Sequence, residues 1–311
     1  MHNPPKISVA IAVYNKEMNI LSTLNSVLNQ SYAAQEIIIV NDGSTDNSER
    51  LILSLNDKRI RYFAQKNKGA AAARNKAIQS CSYPYIALID ADDLWHVDFL
   101  KNIANAITKY PQQKVFSTAI KTEVASQNPF KSTYQIPTMD SIGIYNYFKA
   151  SSKTSIIHSS AVVIHEDVFH EVGYFDKAIL SGQDTDLWIR IGLEFSIVFI
   201  PKHLATYRYV QNSLSRSGVA IKDKLDFSKY ADAEKTNPAL KKFLDLNRYS
   251  LAIYAREKED MDNHFQLKRV IDRSNLNWKQ NFILSAPKKV IWLLKRIQSF
   301  LEGLGWKTTS F

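Results

Sequence analysis

The chain is expected to form an α/β fold, a mostly parallel central sheet flanked by helices, with a helical C-terminal appendage. Three observations predict it. Apolar β-type runs alternate with helical patterns through the first 90 residues, polar and acidic residues gather directly after the strands, and the composition turns charged and helical beyond residue 217. A strand returned to the same sheet by a crossover helix runs parallel to its predecessor, so strict alternation favours helices on both faces. Ligands of such sheets collect at the carboxyl ends of the strands, where Tyr14, Asp42 and Asp92 all fall.

Ile7 to Val13 is the first strand, and Glu17 to Gln30 places Ile20, Leu21, Leu24, Val27 and Leu28 on one helical face. Glu36 to Val40 is the second strand. It ends in Asn41-Asp42-Gly43-Ser44-Thr45-Asp46, turn-forming residues that can also cap a helix through Asn47 to Leu55. Ile60 to Phe63 follows, then the alanine-rich stretch Gly69 to Ile78, whose composition favours a helix. Tyr85 to Ile89 is the next strand, and Ser160 to Ile164, Ile197 to Ile200 and Ala205 to Arg208 supply later ones. The expected division is a catalytic domain over 1–217 and a mainly helical basic region over 218–311.

Asp90-Ala91-Asp92-Asp93 comes directly after the strand ending at Ile89. Carboxylates packed this closely repel one another unless a cation or hydrogen-bond donors compensate, and a hard ion such as Mg²⁺ or Mn²⁺ suits oxygen ligands. An isolated pattern of this kind reads as a solvated acidic turn; its place at a strand end favours metal chemistry on a phosphate. Asp93 can instead serve structure, for instance as a helix cap before Leu94-Trp95. Asp42 also fits an Asx-type turn, and Glu17 a first-turn helix glutamate that stabilises the macrodipole.

Five segments, Val9 to Asn15, Val40 to Asp46, Asn67 to Asn75, Asp90 to Asp93 and Gly182 to Trp188, occur in an order that resembles family 2 glycosyltransferases. The resemblance covers roughly two-thirds of the chain. It implies an inverting, nucleotide-sugar-dependent enzyme of the GT-A fold. On that resemblance Asp92 is the metal ligand, bridging Mn²⁺ or Mg²⁺ to the donor diphosphate, with Asp90 nearer the ribose or sugar and Ala91 also in the donor site. Tyr14, Glu17 and Asp42 belong to the donor site, Tyr14 offering an aromatic face and Asp42 an acceptor for the imide N–H of uracil. Gly69 and Arg74 match the donor-contacting loop and helix, where a guanidinium can pair with diphosphate or with the acidic cluster. Asp184 matches the general base that takes the proton of an acceptor hydroxyl. Asp186 is assigned instead to an i,i+4 pair with Arg190.

Two departures from the family pattern stand out. Gln183 occupies the place of the usual glutamate before Asp184, and Val210 that of a histidine in the Tyr207 to Ser215 segment. Water, substrate or another side chain must then complete the metal shell; His158 and His203 are candidates.

With 311 residues, 45% of them hydrophobic, the chain can bury a substantial core, and its single cysteine, Cys81, excludes an internal disulfide. Met1 to Lys6 runs straight into the first strand and no apolar run reaches the roughly 20 residues of a membrane span, so a cytoplasmic location is expected. Most of the formal net charge of +10 lies from Arg216 to Phe311, with 19 basic and 11 acidic residues. Pro287 to Leu301 combines that charge with an apolar helical pattern, suited either to the inner face of an anionic membrane or to docking on the protein. A sugar-phosphate nucleotidyltransferase would require a glycine-rich N-terminal phosphate loop, which is missing. A nucleic-acid-binding protein is compatible with the charge, but no recognised motif accompanies it. The expected partners are a nucleotide-sugar donor, expected to be a uridine diphosphate sugar, and a saccharide or lipid-linked saccharide acceptor in surface polysaccharide assembly, with no nucleic acid.

Overall fold

A computed structural model describes residues 4–124, 127–209 and 224–287, together with 290 and 296. The chain divides into two compact units, residues 1–219 with 223–225, and residues 220–222 with 226–311.

The first unit begins with the expected alternation: β1 Ile7–Val13, α1 Ile20–Leu28, β2 Glu36–Asn41, α2 Ser48–Leu53, β3 Ile60–Ala64, α3 Ala70–Gln79 and β4 Tyr85–Leu88. It continues through β5 Leu94–Trp95, α4 Phe99–Lys109, β6 Val115–Val124, β7 Gln127–Lys131, β8 Gly143–Tyr145, α5 Tyr147–Ala150, β9 Val162–His165, α6 Glu166–Val172, α7 Gln183–Glu194 and β10 Ile197–Tyr209. The sheet order is β3-β2-β1-β4-β9-β6-β10-β5, with β7 beside β6 and β8 beside β10. From β3 to β4 the pairing is parallel, whereas β9 runs antiparallel to both β4 and β6, and β6 is again parallel to β10.

Every residue of β2 is buried, which explains its unbroken Ile37-Ile38-Ile39-Val40 run: a strand covered on both faces has no solvent side to alternate with. Helix α4 and strand β6 were not expected from the sequence. Phe99, Leu100, Ile103, Ala104 and Ile107 give α4 a buried stripe that fixes it against the sheet. Leu94–Trp95 forms a short strand antiparallel to β10, so Asp93 caps no helix there.

Register brings the strand ends together. Val13 is level with Asn41, and Asn41 with Ala64, so the loops after β1, β2 and β3 leave one edge of the sheet. Ala10 is level with Leu88, so the acidic cluster after β4 emerges on the same edge.

The second unit contains α8 Ala231–Thr236, α9 Pro238–Glu257, α10 Met261–Val270 and α11 Trp278–Ser285. Asn237 caps α9 by accepting from Leu240 N–H, with Pro238 at the first helical position, where its missing donor costs nothing. Asn277 and Gln280 cap α11 reciprocally. Tyr249, Ala252, Ile271, Leu276, Ile283 and Leu284 form an apolar cluster of this unit.

Candidate active site

The loops after β1 and β2 are bonded to each other. Asn15 has a left-handed backbone, φ 50°, uncommon for a residue with a side chain. Hydrogen bonds on both sides hold it: Asn15 N–H donates to Ser44 Oγ at 3.0 Å and Thr45 N–H to Asn15 Oδ1 at 2.8 Å. Lys16 N–H then donates to Ser48 Oγ, and Glu17 N–H to Asp46 Oδ2. The Glu17 carboxylate accepts from the backbone and side chain of Asn47, which ties it to the start of α2. Tyr14, at the head of this loop, is 43% exposed.

Asp42 is 2% exposed and accepts from Gln65 Nε2, Lys68 N–H and Gly69 N–H at 2.7, 2.9 and 2.9 Å. It therefore braces the loop that leads into α3. Gly69 stands at the N-cap of α3 with φ 87°, a conformation that glycine adopts without steric cost.

Arg74, one turn into α3, joins two parts of the chain. Its Nη2 donates to Asp90 Oδ1 at 2.7 Å and its Nη1 to Asp184 Oδ1 at 3.3 Å. The guanidinium lies over the Phe175 ring, 5.4 Å from its centroid. Next to it, Asn75 exchanges two hydrogen bonds with the backbone of Phe175, pinning the segment that leads to α7. Burial alone would raise the Asp90 carboxyl, but the Arg74 guanidinium overrides it and holds the group below the usual carboxylate range.

Asp93 is fully buried. Ser160 Oγ donates to its Oδ2 at 2.5 Å and Arg208 N–H to its Oδ1 at 2.9 Å. Burial, followed by the charge of Asp90, raises its carboxyl well above the ordinary value. Ser160 Oγ also accepts from Asp90 N–H. The Arg208 guanidinium donates to the Asp92 carbonyl, Ser22 Oγ and Thr23 Oγ1, while Thr23 Oγ1 bonds the carbonyls of Ala91 and Asp93. The acidic turn is thus held by its backbone and by Asp93, leaving the carboxylates of Asp90 and Asp92 to face cations. Asp92 Oδ2 receives Lys16 Nζ at 2.5 Å.

Asp184 sits in the first turn of α7, its side chain 38% exposed. Gly182 caps that helix at φ 91°, and a Cβ there would meet Leu225 Cβ at 3.0 Å. Gln183 Oε1 is buried without a hydrogen-bond partner among the described residues. Asp186 is fully buried and pairs with Arg190 at 2.8 Å, as its i,i+4 spacing predicts. Of the two candidate substitute histidines, His158 is close enough to Asp90, Asp184 and Asp92 to feel their charge, although burial outweighs them and lowers its pKa. His203 instead bonds the Ser132 carbonyl. Val210 lies outside the described residues, as does nearly all of the segment from Pro287 onward.

The site therefore unites Arg74, Asp90 and Asp184 directly, sets Asp92 beside them, and seats Asp42 and Glu17 in the bracing of the neighbouring loops. Lys16, Asn75, Ser160 and Arg208 were missed by sequence reasoning. Lys16 lies inside the Tyr14 to Glu17 segment and Arg208 inside the Tyr207 to Ser215 segment, so their positions were available. Their partners, 76 and 115 or more residues away, were not.

The parallel β3-β2-β1-β4 half and its acidic strand end define an α/β architecture of the GT-A type. Residues 8–173 match the sequence model of glycosyl transferase family 2. An uncharacterized glycosyltransferase of Rickettsia conorii is 35% identical over 211 residues, 66% of this chain and 33% of that protein. The E. coli enzyme WfgD, named UDP-Glc:alpha-D-GlcNAc-diphosphoundecaprenol beta-1,3-glucosyltransferase, is 39% identical over 90 residues, 29% of this chain and 36% of its own. S. aureus TarS 1-349, in a crystal structure with UDP-GlcNAc, superposes with a TM-score of 0.57 at 16% identity, covering 85% of this chain and 90% of that one. The chain belongs to glycosyl transferase family 2, a family of enzymes. It spans about a third of the length of the Rickettsia conorii relative. Among the described residues no group of three His, Cys, Asp or Glu side chains is arranged to hold a metal alone, and no helix is long and apolar enough to cross a membrane.

Proposed function

We propose that the chain transfers one sugar, with inversion, from a uridine diphosphate sugar to a hydroxyl of a saccharide or lipid-linked saccharide, in the assembly of a surface polysaccharide or glycolipid. The observation that carries this reading is the bridge from Asp90 through Arg74 to Asp184. It sets a carboxylate suited to deprotonating an acceptor hydroxyl next to the strand-end carboxylates suited to the donor. A base on one side of the anomeric carbon and a diphosphate leaving on the other give a single in-line displacement, which inverts configuration. The donor and acceptor named for WfgD support a uridine nucleotide and a lipid-linked acceptor. Residues 1–217 are proposed as the catalytic domain.

In this reading Asp184 is the base, its carboxylate oriented by the hydrogen bond that Arg74 donates to Oδ1. Tyr14 packs on the base of the nucleotide. Asp42 orders the Gln65 to Gly69 loop beside it and offers the uracil imide an acceptor, while Glu17 holds the loop that carries Tyr14. The Asp92 carboxylate already receives a cationic side chain, so its chemistry suits a divalent ion, with diphosphate oxygens and water completing the ligands. Mn²⁺ or Mg²⁺ bound there would offset charge on the departing diphosphate. Asp90, Ala91, Gly69 and Arg74 would bound the sugar and diphosphate.

Asp184→Asn tests the assignment. The amide cannot accept the hydroxyl proton, so transfer should fall by on the order of 10²- to 10⁴-fold. Binding of the uridine diphosphate sugar, followed by calorimetry, should stay close to that of the unmodified chain. Near-normal turnover in the folded variant would remove Asp184 from the role of base.

A further inference from the structure

The geometry points to Lys16 as a resident cation of the donor site: we propose that its ammonium and a divalent metal ion are alternative partners of the Asp92 carboxylate, so that Lys16 lowers metal affinity and keeps Asp92 neutralised when no metal is bound. The inference rests on the reading of Asp92 as the carboxylate that faces the donor diphosphate.

Three observations support it. Lys16 Nζ lies 2.5 Å from Asp92 Oδ2, and the two side chains are 27% and 14% exposed, so solvent screens the pair less than it does a surface ion pair. The backbone that launches the lysine is fixed by the left-handed turn at Asn15 and by hydrogen bonds on residues 15, 16 and 17, so Lys16 is aimed across the site. The other two carboxyls of the turn have their own partners: Asp90 is paired with Arg74, and Asp93 is hydrogen-bonded by Ser160 and the Arg208 amide. Asp92 is the member whose charge Lys16 answers.

A divalent ion would take an oxygen of Asp92 as a direct ligand. Lys16 Nζ, 2.5 Å from Oδ2 of the same carboxylate, would repel that ion. The two cations compete for the charge of one carboxylate, and in a partly desolvated site that repulsion favours one occupant over both. The long, flexible lysine stem allows it to be the one that moves, and its release means that metal binds only after an ion pair has been broken.

Mn²⁺ binding to the full chain, read from the electron paramagnetic resonance of the free ion with and without UDP, tests this apart from catalysis. Lys16→Met should bind Mn²⁺ about tenfold more tightly than the unmodified chain, the worth of a charge-assisted hydrogen bond. Lys16→Arg, which keeps the charge, should stay close to the unmodified chain, and Asp92→Asn should lose the site in either background. The Lys16 side chain is partly exposed, so none of its substitutions opens the core. Equal or weaker Mn²⁺ binding by Lys16→Met would overturn the proposal, as would an arginine variant that behaves like methionine. If Asp92→Asn abolishes binding while Lys16→Met changes nothing, the donor-site reading of Asp92 survives and the role of Lys16 alone falls. If Asp92→Asn binds Mn²⁺ normally, both fall.

Discussion

Arg74 concentrates most of the site's logic in one side chain. A guanidinium presents a rigid fork of donors, so it serves Asp90 and Asp184 together, whereas an ammonium is a point charge that must choose. Arg74→Lys should therefore keep the positive charge yet lose the bridge, lowering transfer by about 10- to 100-fold, the worth of one charge-assisted hydrogen bond. Steady-state rates at saturating donor, alongside thermal unfolding, provide the check. Wild-type turnover in the lysine variant would mean that charge alone matters there. Asp93 illustrates the opposite use of a carboxylate: fully buried and held by Ser160 and the Arg208 amide, it shapes the turn instead of facing a ligand.

Elements are joined by similar clips. Arg59, just before β3, donates to both oxygens of Asp57 and to the Leu28 carbonyl at the end of α1. Those side-chain hydrogen bonds, then the Arg59 amide, pull the Asp57 carboxyl down to about 2. A carboxyl depressed by folding stabilises the protein above its unfolded pKa and loses that contribution as pH falls through its folded one. Arg59→Gln should therefore lower the urea midpoint by a constant amount above about pH 4, and the gap to the unmodified chain should close as pH approaches 2. A gap independent of pH across that window would show that Arg59 acts through the Leu28 carbonyl and not through Asp57. The start of α7 is built differently: Gly182 is its left-handed N-cap, and a side chain there would meet Leu225.

At the scale of the molecule, the catalytic machinery proposed here lies within the first unit, while the second has its own core and its own buried charges. In α9 and α8, Arg248 pairs with Glu234 and approaches Asp245, which also receives Lys241, the Asp272 amide and Asn275. The basic, apolar segment beyond Pro287 suits either a membrane surface or docking on the protein, and its removal separates the two. Removing residues 287–311 should reduce flotation with anionic vesicles and use of a lipid-linked acceptor, while hydrolysis of the donor continues; each basic group near such a surface contributes on the order of 1 kcal/mol. A truncated chain that stays folded and floats equally well would end the membrane reading, and one that unfolds would make the segment part of the core.

The sequence by itself determined the parallel half of the sheet, because each strand from Ile7 to Leu88 is a local apolar run and each intervening helix a local pattern of spacing. It also determined which carboxylates stand at strand ends, since Asp42 and Asp90 to Asp93 follow directly from where the apolar runs stop. The antiparallel insertion of β9 was not legible, because a buried strand reads alike in either direction and pairing is settled by distant partners. Helix α4 was legible in its apolar stripe and was overlooked, whereas β5 is too short to leave a pattern. Only the tertiary structure decided what each carboxyl meets: Lys16 for Asp92, Arg74 for Asp90 and Asp184 together, and Ser160 with Arg208 for Asp93. Periodicity is a property of neighbours along the chain. Electrostatic compensation is a property of neighbours in space, and these pairs are separated by between 16 and 115 residues.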